Sequence, residues 1–201
     1  MSTVDIEAIL DEDYTDVQLR GEYWQKRTYV RCRFRAADMS GLRTESVTFV
    51  ECDFTGTDLA GSHHHRTTFR RCQFTGTALW HSSLRDCSMV GSTFISCRLR
   101  PIELAGVDFS QASLGGADLR NTDLSGCRLR AANLVLADLR GATLSSVDLV
   151  GARTTGLRLE GADMRGAQVD TVFWASTGLS ETRVAPAQTI DYARAHGLVV
   201  E

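Results

Sequence analysis

The 201-residue sequence lacks several features that would place it in a particular class of protein. It has no apolar run near the 18 residues that a membrane-spanning helix needs, and no apolar leader of the secretory type. We therefore expect a soluble, cytoplasmic protein with no membrane partner. No linker-like or low-complexity tract divides the chain, which predicts a single domain.

Signatures of catalysis and of cofactor binding are also missing. No glycine-rich phosphate loop follows an apparent strand, and no set of nucleophile, base and acid stands out. The conspicuous histidine cluster is His63–His65, but adjacent residues of an extended segment point to opposite sides and cannot all reach one metal ion. The sequence thus predicts no enzyme activity, no cofactor and no metal site.

What the sequence does contain is a large apolar residue at every fifth position. From Leu19 to Val184, 31 of 34 positions in this register are apolar, the exceptions being Thr44, His64 and Thr154. A helix turns by about 100° per residue, so residues five apart would spread around it, and in a strand they would alternate between faces. The period therefore belongs to a backbone that turns a corner every five residues.

A second register, two residues earlier, holds small side chains. Of its 34 positions from Val17 to Thr182, 29 are Ala, Cys, Ser, Thr or Val, and all six cysteines fall there. Each five-residue unit then forms one straight side with two inward residues, and four sides close a coil of 20 residues. Such coils stack through parallel β-bridges about 4.8 Å apart. The cysteines are predicted to be small buried side chains rather than disulfides or zinc ligands.

Several of these units match a known motif. The stretch ADLRN at 117–121 and later ANLVL, ADLRG and ADMRG resemble the A(D/N)LXX motif of the pentapeptide-repeat family. The resemblance implies an all-β fold, a right-handed quadrilateral parallel β-helix, which we assign to residues 17–185. The first coil is imperfect, because Glu22 and Arg27 fall in the small inward register.

Both ends of the chain depart from the repeat. Residues 1–16 carry six acidic residues and no basic one, and form either an acidic arm or a cap. At the other end, the sequence predicts a capping helix over 186–196, with Pro186 at its start and Gly197 at its end, followed by an apolar tail. We expect residues 186–201 to pair with a second copy, through Ile190, Tyr192, Ala193, Leu198 and Val199.

Charge is distributed unevenly along the predicted rod. Residues 17–100 carry 13 basic and 7 acidic residues, whereas residues 101–201 carry 9 basic and 12 acidic ones. A rod without a pocket acts by contact, and acidic columns on a coil about as wide as duplex DNA could imitate phosphates. In a dimer joined at the C-terminus, a central negative patch is expected from Glu103, Asp108, Asp118, Asp123, Asp138, Asp148, Glu160 and Asp163.

Longer segments sharpen this expectation. LWHSSLRDCSMVGSTF, CRLRP, LGGADLR and ARAHGL resemble the mycobacterial branch of the family that confers fluoroquinolone resistance. The resemblance implies a homodimeric, DNA-shaped rod that binds DNA gyrase, through its A subunit, its B subunit or both, and inhibits it. An interaction module for a different protein is the alternative. Direct binding of nucleic acid is not expected, because the aromatic residues of the basic half mostly face the core.

Overall fold

The computed structural model describes residues 8–200, and they form a parallel β-helix that ends in two short helices. Bridges join residues 20 apart along the chain, from Ile9↔Tyr29 near the start to Asp163↔Arg183 near the end. The predicted fold class, a right-handed quadrilateral β-helix with a C-terminal helix, is confirmed. Residues 1–7, part of the acidic segment predicted at 1–16, lie outside the described residues.

The strands are short because each side of the coil holds only two to four extended residues. They are β1 (Ile9–Leu10), β2 (Tyr23–Gln25), β3 (Thr28–Val30), β4 (Arg43–Glu45), β5 (Thr48–Val50), β6 (His63–His65), β7 (Thr68–Arg70), β8 (Gln73–Thr75), β9 (Ser82–Arg85), β10 (Thr93–Ile95) and β11 (Ile102–Ala105). Beyond β11 each side is reduced to a single bridge, such as Asp118↔Asp138. Two helices follow, α1 (Thr171–Ser176) and α2 (Pro186–Ala195).

The coil has four faces, which we name after an outward residue at the centre of each. In chain order these are the Asp108, Ser113, Asp118 and Asp123 faces. At nearly every corner the second residue after the large apolar one takes a left-handed conformation, as at Gly116 (φ +68°), whereas the corner at Pro101 does not. That requirement explains why glycine recurs at this register, since glycine reaches positive φ without a steric penalty.

The interior is built from the two inward registers, as predicted. Large residues stack on their equivalents in the next coil, and in the N-terminal half two of the four columns are mainly aromatic. The rings of Phe34, Phe54, Phe74 and Phe94 form one column, with successive centroids 4.9–5.1 Å apart and nearly parallel planes. Leucines replace the aromatic residues in the C-terminal half. The six cysteines are free, and all except the half-buried Cys97 are buried.

The first coil differs from the prediction in two ways. Strand β1 pairs with β3, so the β-helix reaches upstream of the boundary predicted at residue 17. The inward placement of Glu22 and Arg27 is wrong, because both side chains are exposed. Glu22 accepts a hydrogen bond from Trp24 Nε1 at 2.6 Å, and Arg27 donates one to the Tyr29 hydroxyl at 3.4 Å. Charged side chains at the end of the rod therefore satisfy the polar atoms of the aromatic rings beneath them.

The last coil also departs from the predicted phase. Helix α1 replaces one side, with Asp170 as its N-cap and with Phe173 and Trp174 buried. Helix α2 begins and ends close to the predicted 186–196. Its C-terminus is a Schellman motif, in which Gly197 (φ +81°) allows Leu198 N to donate to Ala193 O at 3.0 Å.

Gln188 joins α2 to the end of the β-helix. Its side chain is buried and accepts a hydrogen bond from Ala185 N at 2.8 Å. Its amide nitrogen donates to Met164 O and to Ala167 O, both at 3.0 Å. One side chain thus satisfies backbone groups that the next coil would otherwise pair.

Among the described coils that precede α1, the ladder is interrupted at the junction of Arg98–Gly106 with Ala117–Ser125, which we call the seam. Among the described residues, no backbone hydrogen bond crosses this junction, and the bridges expected between residues 98 and 118 and between 103 and 123 are missing. On the other two faces the same coils are joined normally, as by Asp108↔Arg128. The seam therefore opens two adjacent faces of an otherwise continuous rod.

Candidate partner-binding surface

The eight acidic residues predicted as a central patch lie on three faces and one corner. Asp118 and Asp138 follow one another on the Asp118 face, and Asp108 and Asp148 lie on the Asp108 face with Arg128 between them. Glu103, Asp123 and Asp163 belong to the Asp123 face, where the seam separates the first from the second. Glu160 lies at a corner. The patch is therefore a set of separate columns rather than one surface.

On the Asp118 face the carboxylates are enclosed by arginines. Asp118 accepts from Arg120 at 2.8 Å and from Arg100 at 3.1 Å, and Asp138 is bound by Arg140 at 2.7 Å. Hydrogen bonding to Arg120, and then to Arg100, lowers the pKa of Asp118 well below its usual range. Arginines stacked in one column at 20-residue spacing are thus held in place by the acidic residues between them.

Most of the other predicted acidic residues are also ion-paired. The pairs are Asp108–Arg128 at 3.2 Å, Asp148–Arg130 at 3.5 Å, Asp163–Arg165 at 2.6 Å, Glu103–Arg85 at 3.5 Å and Glu160–Arg158 at 3.9 Å. Within residues 8–200, Asp123 alone of the eight has no basic partner within 4.0 Å, and it is exposed. The surface therefore carries alternating charges, with Asp123 as a negative charge that no base offsets directly.

The carboxylates share a fixed orientation that the sequence motif explains. An outward aspartate accepts a hydrogen bond from the backbone N–H two residues later, as Asp123 does from Ser125 N at 2.9 Å and Asp148 does from Val150 N at 3.0 Å. Aspartate is favoured here because its short side chain can accept a hydrogen bond from the backbone N–H at the corner that follows it. The chain thus presents carboxylates at a regular spacing and in one orientation along each column.

The histidine cluster serves the fold. His64 is buried, with Nδ1 2.7 Å from Thr44 Oγ1 and Nε2 2.9 Å from Ser62 Oγ. His65 Nδ1 lies 2.8 Å from Glu45 on the outside of the coil. Within residues 8–200 no group of three or more His, Cys, Asp or Glu side chains has the geometry of a metal site.

The C-terminal end exposes the apolar residues predicted for a dimer interface. The exposed fractions are 39% for Ile190, 40% for Tyr192, 62% for Leu198 and 87% for Val199, while Ala193 is half-buried. All of them follow the last coil, on α2 or on the tail beyond Gly197. Neither helix among the described residues is long or apolar enough to cross a bilayer.

Comparisons with known proteins place this geometry in a family. A model described as "Pentapeptide repeat region" matches residues 47–135, and one described as "Pentapeptide repeats (8 copies)" matches residues 137–171. A comparison with curated protein sequences gives no match.

Solved structures show the same fold at low sequence identity. A trypsin-treated variant of QnrB1, a plasmid-mediated fluoroquinolone resistance protein, has a TM-score of 0.85 at 17% identity, covering 96% of this chain and 98% of that one. Full-length QnrB1 gives 0.80 at 15% identity, over 96% and 100% of the two chains. The two motif matches together span most of the β-helix, and the chain therefore belongs to the pentapeptide-repeat family.

Proposed function

We propose that this protein binds DNA gyrase and protects it from fluoroquinolones. The main support is the agreement in fold with QnrB1, a fluoroquinolone resistance protein, over 96% of this chain and 98% of that one. The segments that resemble the mycobacterial fluoroquinolone-resistance branch add an independent argument from sequence. A rod that spans the length of QnrB1 would act through its outer surface.

The Asp123 face of the C-terminal half is the surface we assign to this contact. Glu103, Asp123 and Asp163 lie on it in neighbouring or alternate coils, with the neutral Thr143 in between. Duplex DNA has one negative charge per about 1.7 Å, so the match to a duplex is local and not global. A basic surface that normally holds DNA would meet Asp123 first, because that carboxylate has no arginine to displace.

A single charge reversal tests this assignment. Asp123→Arg should weaken inhibition of gyrase supercoiling at least fivefold, because it places a cation on the contact surface. Asp58→Arg is a matched control: Asp58 is also exposed and without an ion pair, and it accepts from Ala60 N at 2.9 Å, as Asp123 does from Ser125 N. The control should stay within twofold of the wild type.

Supercoiling and drug-induced DNA cleavage should be measured at several protein concentrations, with circular dichroism to verify folding. Equal inhibition by both variants would remove the role of the Asp123 face. A folded wild-type protein without effect on gyrase would overturn the proposed function and favour a different protein partner. Reversing Asp118 and Asp138 is less informative, because it would set arginines against the four that already surround them.

A further inference from the structure

Among the described coils that precede α1, the seam is where backbone hydrogen-bonding groups of two adjacent coils face each other without pairing. In the regular ladder, Asp118 N would donate to Cys97 O, and Leu104 N would donate to Asp123 O, as Asp138 N does to Ala117 O. Neither bond is made among the described residues, and Pro101 has no N–H to offer. Strand β11 is thus paired with β9 on one side and has an open edge on the other.

Two clefts open along this edge, one on each side of the corner at Arg100 and Pro101. The cleft on the Asp118 face has a volume of about 490 Å³ and includes Trp80, Cys97 and Arg98 in its lining. The cleft on the Asp123 face has a volume of about 350 Å³ and lies between Pro101–Ile102 and Arg120–Asp123. Their walls combine unpaired backbone groups with apolar surface.

Inward residues are partly exposed here, unlike most of their equivalents elsewhere in the rod. Cys97, Ile102 and Leu104 are half-buried. By contrast, the inward residues Ala112, Leu114 and Leu119 further along the chain are at most 3% exposed. Trp80 is 39% exposed, while Trp24 and Trp174 are buried. The seam therefore offers apolar contacts beside its open backbone edge.

The charge at the clefts is positive. Arg98, Arg100 and Arg120 line them, against Asp118 and Asp123. Arg98 has no acidic partner within 4.0 Å among the described residues and is exposed. A ligand with carboxylates would complement this charge, and one with alternating N–H and C=O groups would complement the open edge.

We propose that the seam binds an extended acidic peptide segment of a partner protein. An extended peptide satisfies an open strand edge through its backbone, while its side chains enter pockets beside it. Nucleic acid fits less well, because a phosphate backbone cannot supply the N–H donors that the unpaired carbonyls of Cys97 and Ile102 require. The proposal does not depend on gyrase being the partner of the Asp123 face.

The test begins with a phage-displayed library of random nonapeptides selected against the immobilised full chain. Peptides enriched in Asp and Glu are expected. Fluorescence anisotropy with a labelled synthetic copy should show at least a tenfold loss of affinity in Arg98→Glu. Arg153→Glu is the matched control, since Arg153 is also exposed and without an ion pair but lies on an intact part of the ladder, bridged to Asn133. It should change the affinity less than twofold.

A second measurement separates backbone recognition from simple charge attraction. The same peptide with alternate amide nitrogens methylated keeps its carboxylates but loses N–H donors, and it should bind at least tenfold more weakly. A library without enrichment, equal binding to Arg98→Glu and Arg153→Glu, or full binding of the methylated peptide would each overturn the proposal. Arg98-dependent binding of a thymidine 20-mer in place of any peptide would identify a nucleic-acid site instead.

Discussion

At the scale of single residues, His64 shows what the interior of this coil tolerates. Burial, and to a lesser degree the nearby His63, lowers its pKa to about 3. The ring is held neutral between Thr44 and Ser62 and packs edge-on against Phe69, with centroids 5.2 Å apart. A polar side chain is accepted at a large inward position because both ring nitrogens have partners.

This environment makes the stability of the protein depend on pH. The pKa of His64 is lower in the folded state than the value near 6.5 of an unfolded chain, so acid protonates the unfolded state first. The stabilisation is complete above pH 6.5, falls as the pH drops from 6.5 towards 3, and is flat below that. Between pH 6.5 and 5 the loss is about 2 kcal/mol.

His64→Leu should flatten this part of the profile. Thr44 would retain Thr67 as a partner, and Ser62 would retain Ser82, so neither hydroxyl is left unpaired. Urea denaturation at pH 7 and pH 5 measures the difference. His196→Gln, at an exposed position on the C-cap of α2, should keep the wild-type slope. A slope in His64→Leu equal to that of the wild type would show that another group is responsible.

At the scale of elements, Gln188 is the main polar connection between α2 and the β-helix. Gln188→Leu keeps the apolar stem but leaves Ala167 O and Ala185 N without their partner, whereas Met164 O keeps its bond from Ala167 N. Each unsatisfied buried group costs about 1–3 kcal/mol, partly relieved by water at the rod end, so we expect a loss of about 2–4 kcal/mol.

Thermal unfolding measured by circular dichroism should show this loss as a lower Tm. Gln168→Leu is the control, because that glutamine is exposed on the Asp108 face and makes no side-chain hydrogen bond in the described part of the chain. Its Tm should stay within about 2 °C of the wild type. Comparable losses in the two variants would contradict a specific capping role for Gln188.

The repeat could be predicted from sequence because it depends only on local order: a large residue every fifth position and a small one two before it. Helix α1 was missed for the same reason. Trp174 fills its inward position whether the chain is a straight side or a helix, so the register alone does not distinguish them. Phe173 is the signal that could have revealed α1. On an extended side, Phe173 would point outward next to the inward Trp174, whereas a helix can bury both rings.

The seam and the ion pairs depend on contacts between coils, which the register does not specify. Ile102 occupies a small inward position, and Pro101 precedes it, but neither shows that two faces separate there. Similarly, Asp138 pairs with Arg140 two residues along the chain, but it meets Arg120 and Arg158 only because 18- and 20-residue offsets become neighbours in the coil. The register places these acidic residues on the outside of the coil, and mixed charges are expected where aspartates flank the arginine column, but the pairs that cross from coil to coil follow from the fold.

At the scale of the whole molecule, the exposed C-terminal residues predict a homodimer. Leu198→Glu combined with Val199→Glu places two charges where a second copy would bury apolar side chains. The variant should elute as a monomer of 22.1 kDa in size-exclusion chromatography with light scattering, against twice that mass for the wild type. Leu136→Glu, at a 68% exposed corner in the middle of the rod, should remain dimeric.

A monomeric wild type at micromolar concentration would exclude this interface. So would a double variant that retains the dimer mass, because buried carboxylates without partners are strongly unfavourable.

The 20-residue lap has one more consequence, for how such a gene can change length. Losing a single codon in the middle would turn every later side chain by one place, sending leucines into water and arginines into the interior. Losing 20 codons removes one whole lap and leaves all that follows in step. Losing five codons removes one side and also keeps both inward registers, so a rod of this kind can change length by whole sides as well as by whole laps.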